Sequence, residues 1–240
     1  MNVLVEEKSL QDIANAIRVK NETENTYKPS EMASAIEEMP KGLVDEFVWN
    51  NIASITFSFD SLSGNVELNV PKKMASLKEI LSGQPNVKTA VINKTDGSNI
   101  SNLYRAFFGT RYMTEITLNF DTGKVTNWDG TFNNSAVGGG SLVTIDGLLD
   151  FSSSANILTG TFNGNRNLKN VQIKEQSIKS SINFPSMSLL TDDSVNSIIN
   201  GLADLSDSGS AKTVTLDTAI KNKLTEEQIA TINSKGWTLA

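Results

Sequence analysis

The chain has 240 residues, with 21 Lys and Arg against 27 Asp and Glu, and its net charge of −6 disfavours broad binding to nucleic acid or to anionic membranes. It has no Cys and no His, which excludes disulfides, thiolate catalysis, Cys-based zinc sites and a Ser-His-Asp triad, and removes the commonest general base and metal ligand. Hydrophobic residues make up 38% and aromatics 7%, lean for a large spherical core but suited to a narrow stacked array. No apolar run approaches membrane-spanning length, and Met1–Glu7 is too short and too acidic for a signal peptide.

In chain order, residues 1–42 read as a helical module. Ser9 can cap a first helix with Asp12 in the capping-box position, and Leu10, Ile13, Ala14 and Ile17 share one face. Ser30 can cap a second, with Met32, Ala33 and Ile36 on its apolar face before Pro40. Helices this short are marginal alone. The hairpin therefore either caps the array that follows or attaches the chain to a larger assembly, and Leu10, Ile13, Ile17, Met32 and Ile36 are the candidate attachment residues. Residues 43–76 read as a β-hairpin lead-in: Ile55, Phe57 and Phe59 alternate, a Ser- and Gly-rich turn follows, and Val66, Leu68 and Val70 alternate again before Pro71.

Residues 77–188 repeat. Anchors at Leu81, Phe107, Phe132 and Phe162 are 26, 25 and 30 residues apart. Four residues before each stands a large apolar side chain: Leu77, Leu103, Trp128 and Leu158. Six after come Val87, Met113 and Leu168; nine after, Ala90, Ile116 and Val171; eleven after, Ile92, Leu118 and Ile173. The third copy fits when four residues are inserted in Asn133–Ser141, which contains Gly138–Gly140, and Leu142 and Ile145 then fall at the shifted places. One such unit cannot bury its apolar face alone, so a period near 26 predicts stacking, with one strand per unit. Residues 189–240 read as an α/β cap. Thr191 caps a helix with Val195, Ile198, Ile199, Leu202 and Leu205 on its apolar stripe, a strand spans Thr213–Leu216, Thr225 and Gln228 form a capping box, and Gly236 precedes a last strand, Trp237–Leu239. The expected fold class is therefore α+β: a short leucine-rich-repeat-like solenoid with an N-terminal helical hairpin and an α/β C-terminal cap.

No residue pattern announces a reaction, a cofactor or a metal. Asp121, Asp129, Asp146 and Asp150 lie on or near the array, mostly beside Gly, Thr or Ser, where Asp usually serves turns rather than a glycosidase carboxylate pair. Asp96–Asn99 and Asp192–Asp193 lack the alternating ligands of a calcium loop. Surface binding has more support. Arg111 and Arg166 each follow their anchor by four residues, with Tyr104 and Tyr112 nearby. Arg beside aromatics is a common make-up for a recognition patch; the other reading is that the tyrosines cover repeat edges and the arginines are solvated.

The phrase Asn119-Phe120-Asp121-Thr122-Gly123-Lys124-Val125-Thr126-Asn127-Trp128 and the unit Leu158–Ile173 resemble the BspA-type leucine-rich repeats of bacterial surface proteins. The opening Ser9–Met39 and the ending Leu190–Ala240 are similar to segments of structural proteins from phages of Gram-positive bacteria. The resemblance implies a non-enzymatic virion structural protein of the tail, baseplate or fibre type. Such a protein is made in the host cytoplasm and localised to the virion. It would be held by its N-terminal helices to other virion proteins and to itself as a homo-oligomer, a trimer first, and its repeat domain would be available to host cell-surface glycan or protein. The alternatives are a BspA-like bacterial adhesin, a capsid-attached head fibre or decoration protein, and a glycan-degrading phage spike.

Overall fold

The computed structural model describes residues 3–4, 55–57, 61–94, 99–134, 140–154 and 158–240. The expected helical hairpin, with Leu10, Ile13, Ile17, Met32 and Ile36, lies outside these residues, as do most of Asp96–Asn99 and the Gly138–Gly139 part of the insertion.

Two short strands, β1 (Val3–Leu4) and β2 (Thr56–Phe57), pair antiparallel. The next strand, β3 (Gly64–Asn69), does not turn back on β2. It runs parallel to β4 (Val87–Asn93) and opens a five-stranded sheet. The two segments read as a hairpin lead-in therefore enter different sheets. Val66 and Leu68 are in register with Ala90 and Ile92, so β3 has the alternation of an array strand and joins the array's sheet.

The sheet continues through β5 (Glu115–Asn119), β6 (Thr144–Leu149) and β7 (Asn170–Ile173), all parallel and in chain order. Alternation decides which side chains enter the core: Ala90, Ile92, Ile116, Leu118, Val171 and Ile173 point inward and are buried. The segment between consecutive strands is a series of tight turns, which form a second hydrogen-bonded wall. Leu77 N–H donates to Asn102 O and Leu103 N–H to Asn127 O; Leu81, Phe107 and Phe132 donate to Ala106 O, Thr131 O and Thr161 O. Each coil thus satisfies its backbone through the coil after it, on both walls.

The anchors fill the space between the walls. Phe107, Phe132 and Phe162 stack with ring centroids 5.7 and 5.5 Å apart, and the column extends to Phe184 at 4.8 Å. Phe151 adds tilted contacts to Trp128 and Phe162. Burying one such ring contributes about 1.5–3 kcal/mol. Polar groups inside the turn wall are paired: Asn134 Nδ2 donates to Asn165 Oδ1 and Asn165 Nδ2 to Phe132 O. Trp128 Nε1 is the exception, a buried donor with no partner among the described residues.

Beyond the coils, β8 (Ile182–Phe184) starts a second parallel sheet with β9 (Lys212–Leu216) and β10 (Trp237–Leu239), in the order β10-β9-β8. Helix α1 (Asp192–Gly201) crosses from β8 to β9, and α2 (Thr218–Lys221) and α3 (Glu226–Ser234) cross from β9 to β10. The sequence's caps are in place: Thr191 Oγ1 accepts from Ser194 N–H, and Thr225 and Gln228 form the reciprocal capping box.

The α+β expectation is corrected by these pairings: the described residues form a mostly parallel-sheet α/β fold with a five-stranded parallel sheet and three short helices. Two physical reasons account for the difference. The coils join parallel strands through turns, so among the described residues the array contributes no helix, and its leucine-rich-repeat-like label gives way to a plain turn-linked parallel stack. The terminal strands are separated by helical crossovers, which bring strands back parallel rather than antiparallel.

Candidate functional site

Residues on the outer side of the turn wall are presented by a repeated local device. Ser76 Oγ, Asn102 Oδ1 and Asn127 Oδ1 accept from the N–H two residues on, at Lys78, Tyr104 and Asp129. The three acceptors also bridge in parallel from coil to coil. Such side-chain turns stand in for backbone turns and set Lys78, Tyr104 and Asp129 in one row across the stack.

Arg105 follows Tyr104 with φ 49°, in the left-handed region. Glu79 (φ 55°) holds the same place one coil before, and Gly130 (φ 63°) one coil after. A left-handed non-glycine residue costs on the order of 1 kcal/mol relative to glycine. The turn brings the Arg105 guanidinium 5.1 Å from the Tyr104 ring centre and 4.9 Å from that of Phe108, and Lys78 Nζ lies 5.6 Å from the Tyr104 ring centre. The Arg105 stem also lies over Gly130, where a Cβ would meet Arg105 Cγ at 3.1 Å. Lys78 and Arg105 are exposed, and Tyr104 and Phe108 are half-buried.

A second pair lies after the anchor of the same coil. Arg111 is 5.5 Å from the Tyr112 ring centre, and Tyr112 is 49% exposed. The backbone pins both residues: Tyr112 N–H donates to Pro85 O, and Arg111 O accepts from Ser141 N–H.

Of the candidates read from the sequence, the structure joins Arg111 with Tyr112. Tyr104 has Arg105 and Lys78 as its cation partners. Arg166 is exposed two coils from Arg111, with Gly140–Ser141 of the third coil between them, and among the described residues it lies over no ring. Sequence reasoning missed Lys78, Arg105 and Phe108. Lys78 could have been found, since it stands three residues before its anchor just as Tyr104 does. Arg105 adjoins Tyr104 as Arg111 adjoins Tyr112, so the same adjacency could have singled it out; what local sequence does not show is the left-handed turn that lays it over both Tyr104 and Phe108.

Two of the four array carboxylates, Asp121 and Asp150, are engaged in structure. Asp121 Oδ1 accepts from Gly123 N–H and Asp150 Oδ1 from Ser152 N–H, both at 2.9 Å. Lys174 Nζ lies 2.7 Å from Asp150 Oδ2. Burial would raise the Asp150 pKa, but the hydrogen bonds from Lys174 and Ser152 outweigh it and hold the carboxyl below its ordinary value. A carboxyl held ionised in this way is opposite in tuning to the general acid of glycoside cleavage. Among the described residues no group of three or more His, Cys, Asp or Glu could hold a metal, and no helix is long and apolar enough to cross a membrane.

An open cleft of about 350 Å³ lies where α1 meets the outer face of the sheet, lined by Leu148, Gln172, Glu175, Asn196 and Asn200 among others. Its floor is the sheet edge. The Val171 and Ile173 N–H groups of β7, which a further strand would have taken, donate instead to Ser194 Oγ and Ser197 Oγ of α1. The strongest concentration of recognition chemistry is on the opposite wall, at Lys78, Tyr104, Arg105 and Phe108. No protein-family model, no curated protein and no solved structure matches this chain.

Proposed function

We propose that the chain is a non-enzymatic structural protein of a phage virion, held to the particle by its N-terminal segment and displaying the stacked coils toward the host surface, where the Tyr104–Arg105 wall binds. The observation that carries the binding part is the exposed Arg105, which a left-handed turn seats on the Tyr104 and Phe108 rings. Two hydrogen-bonded walls hold that surface stiff, which lowers the ordering cost of binding. The phage part rests on the resemblance of the first and last segments.

Electron microscopy of the parent particle with this protein labelled tests the placement. Label at the tail tip is expected. Label on the head, or none on the particle, overturns the tail assignment. Deleting residues 1–40 should abolish incorporation, and a truncated protein that still joins the particle removes the attachment role from that segment. Fluorescent full-length protein should bind host cells and not cells of a phage-resistant strain; equal binding to both overturns the receptor role.

A further inference from the structure

We infer that Lys78, Tyr104, Arg105 and Phe108 form an oxyanion-binding site, which takes the phosphate or carboxylate groups of an anionic cell-surface polymer. The inference rests on the binding reading above and gives it a ligand class.

Arg105 is placed by two rings, at 5.1 and 4.9 Å from their centres. Among the described residues neither Arg105 nor Lys78 is in an ion pair; the ion pair there is Lys174–Asp150. A guanidinium oriented by aromatic rings keeps its five N–H donors for a ligand, in the planar fork that matches carboxylate and phosphate. A free arginine on a flexible stem lacks that orientation. Lys78 stands on the same Tyr104 ring and adds a second positive charge beside the first.

The backbone sets how the side chain is presented. The left-handed angle belongs to the turn, since Glu79 and Gly130 keep it in the neighbouring coils, and at Arg105, with φ 49°, it folds the guanidinium back onto the Tyr104 and Phe108 rings.

Charge decides the scale of the effect. The chain is acidic overall, at −6, so long-range attraction of a polyanion is absent and binding depends on the local pair of cations. Glu79, exposed next to Lys78 and at the Arg105 place of the preceding coil, weakens the local positive potential. Binding should therefore be strongest at low ionic strength and should fall within the range where the screening length drops to about 10 Å. A polymer that presents many oxyanions offsets the modest affinity of one site.

The test uses the full chain and immobilised polymers: a poly(glycerol phosphate), a polygalacturonate and, as neutral control, dextran, with inorganic phosphate as competitor. Binding to at least one of the two anionic polymers is expected, with none to dextran. The polymer that is bound tells phosphate from carboxylate. Arg105→Met keeps the stem over Gly130 and removes the charge; it should weaken binding roughly tenfold or more, the loss of one charge-assisted contact. Lys78→Met should weaken it less, and Glu79→Gln should strengthen it. Arg105→Gly should abolish binding while leaving the melting temperature near that of the parent, because it relaxes the backbone. Binding to dextran as tight as to the anionic polymers, or Arg105→Met and Lys78→Met proteins that bind like the parent, overturns the inference. Host-cell binding that survives Arg105→Met overturns the oxyanion site and leaves the receptor reading standing. Polymer binding by a protein that ignores host cells does the reverse.

Discussion

The coil stack and the terminal unit are both parallel-sheet structures, but they are held together in different ways. In the stack, one solution is repeated: a buried anchor, a strand and a turn, each hydrogen-bonded to the coil after it on both walls. In the terminal unit each join is individual. Lys235 Nζ donates to the carbonyls of Ile199, Asn200 and Leu202 and closes the C-terminal end of α1, Trp237 Nε1 finds Ala203 O, and a capping box starts α3. The two buried indoles show the contrast. Trp237 has a partner built for it, whereas Trp128, in a place that other coils fill with Leu, has none among the described residues. Repetition fixes geometry cheaply but adapts poorly to a new side chain; an irregular unit can be tailored to each one.

The junction joins the two styles at two points. The ring column passes from Phe162 to Phe184 at 4.8 Å, and the serines of α1 cover the last sheet edge. An uncovered edge would invite pairing with another chain.

The largest expected effect tests whether the units share one core. Phe162 is fully buried against Phe132, Phe151 and Phe184, so Phe162→Ala should cost about 3–5 kcal/mol. In a Trp49→Phe, Trp128→Phe background, where Trp237 is the remaining indole, denaturant unfolding followed by fluorescence and by far-UV circular dichroism should still move together. Two separated transitions would show that the stack and the terminal unit fold independently.

Gly147→Ala comes next and acts within the stack alone. At this position φ is 111° and an added Cβ would meet Leu118 O at 2.7 Å. The register shifts here: Thr144 to Leu148 on β6 spans the same stretch as Asn170 to Gln172 on β7, which is a bulge. A cost of about 2 kcal/mol is expected from the combined strain and clash, read as a lower denaturation midpoint. A neutral result would mean that β6 can slip its register and that the stack adapts to a new side chain.

Smaller again is the edge. Ser194→Ala with Ser197→Ala leaves the Val171 and Ile173 N–H groups without partners, at about 1 kcal/mol or slightly more each. Hydrogen exchange should speed up at those two amides before any other part of β7. Unchanged exchange would show that the serines are not what protects the edge.

The smallest effect concerns pH. The Asp150 pKa is lower in the folded chain than its ordinary value, with burial opposing and the Lys174 and Ser152 hydrogen bonds prevailing. Its stabilisation is therefore complete above the unfolded value and is lost as pH falls through the lower, folded value. Because Lys174 is half exposed, at 52%, the contribution should stay within about 1 kcal/mol. Asp150→Asn should reduce stability at neutral pH and flatten the acid limb of a stability–pH profile below about pH 4. A limb as steep as the parent's would assign acid sensitivity to other carboxylates.

Much of the stack could be read from the chain. Leu77, Leu103, Trp128 and Leu158 before the anchors, and the alternating pairs such as Ile116 with Leu118, are buried where their spacing placed them. Phe184 escaped because it follows Phe162 by 22 residues, with Ser180 four before it and Asp193 nine after it where the pattern asks for apolar residues, yet ring contact makes it the end of the column. The pairing of β3 escaped for a different reason: a turn-rich stretch between two alternating runs suits a hairpin and a coil equally, and local signals do not choose the partner. At the recognition surface, Arg111 and Tyr112 were legible as sequence neighbours, while the seating of Arg105 on two rings depends on a left-handed turn that local spacing does not reveal.

What the sequence determined by itself is the set of inward residues, the period of the coils and the helix starts at Thr191 and Thr225, all of which follow from local spacing and side-chain chemistry. What only the tertiary structure decided is the parallel α/β class, the covering of the β7 edge by serines and the seating of Arg105 on two rings. Those depend on which strand lies beside which and on a left-handed backbone angle, and neither is set by the residues immediately around it.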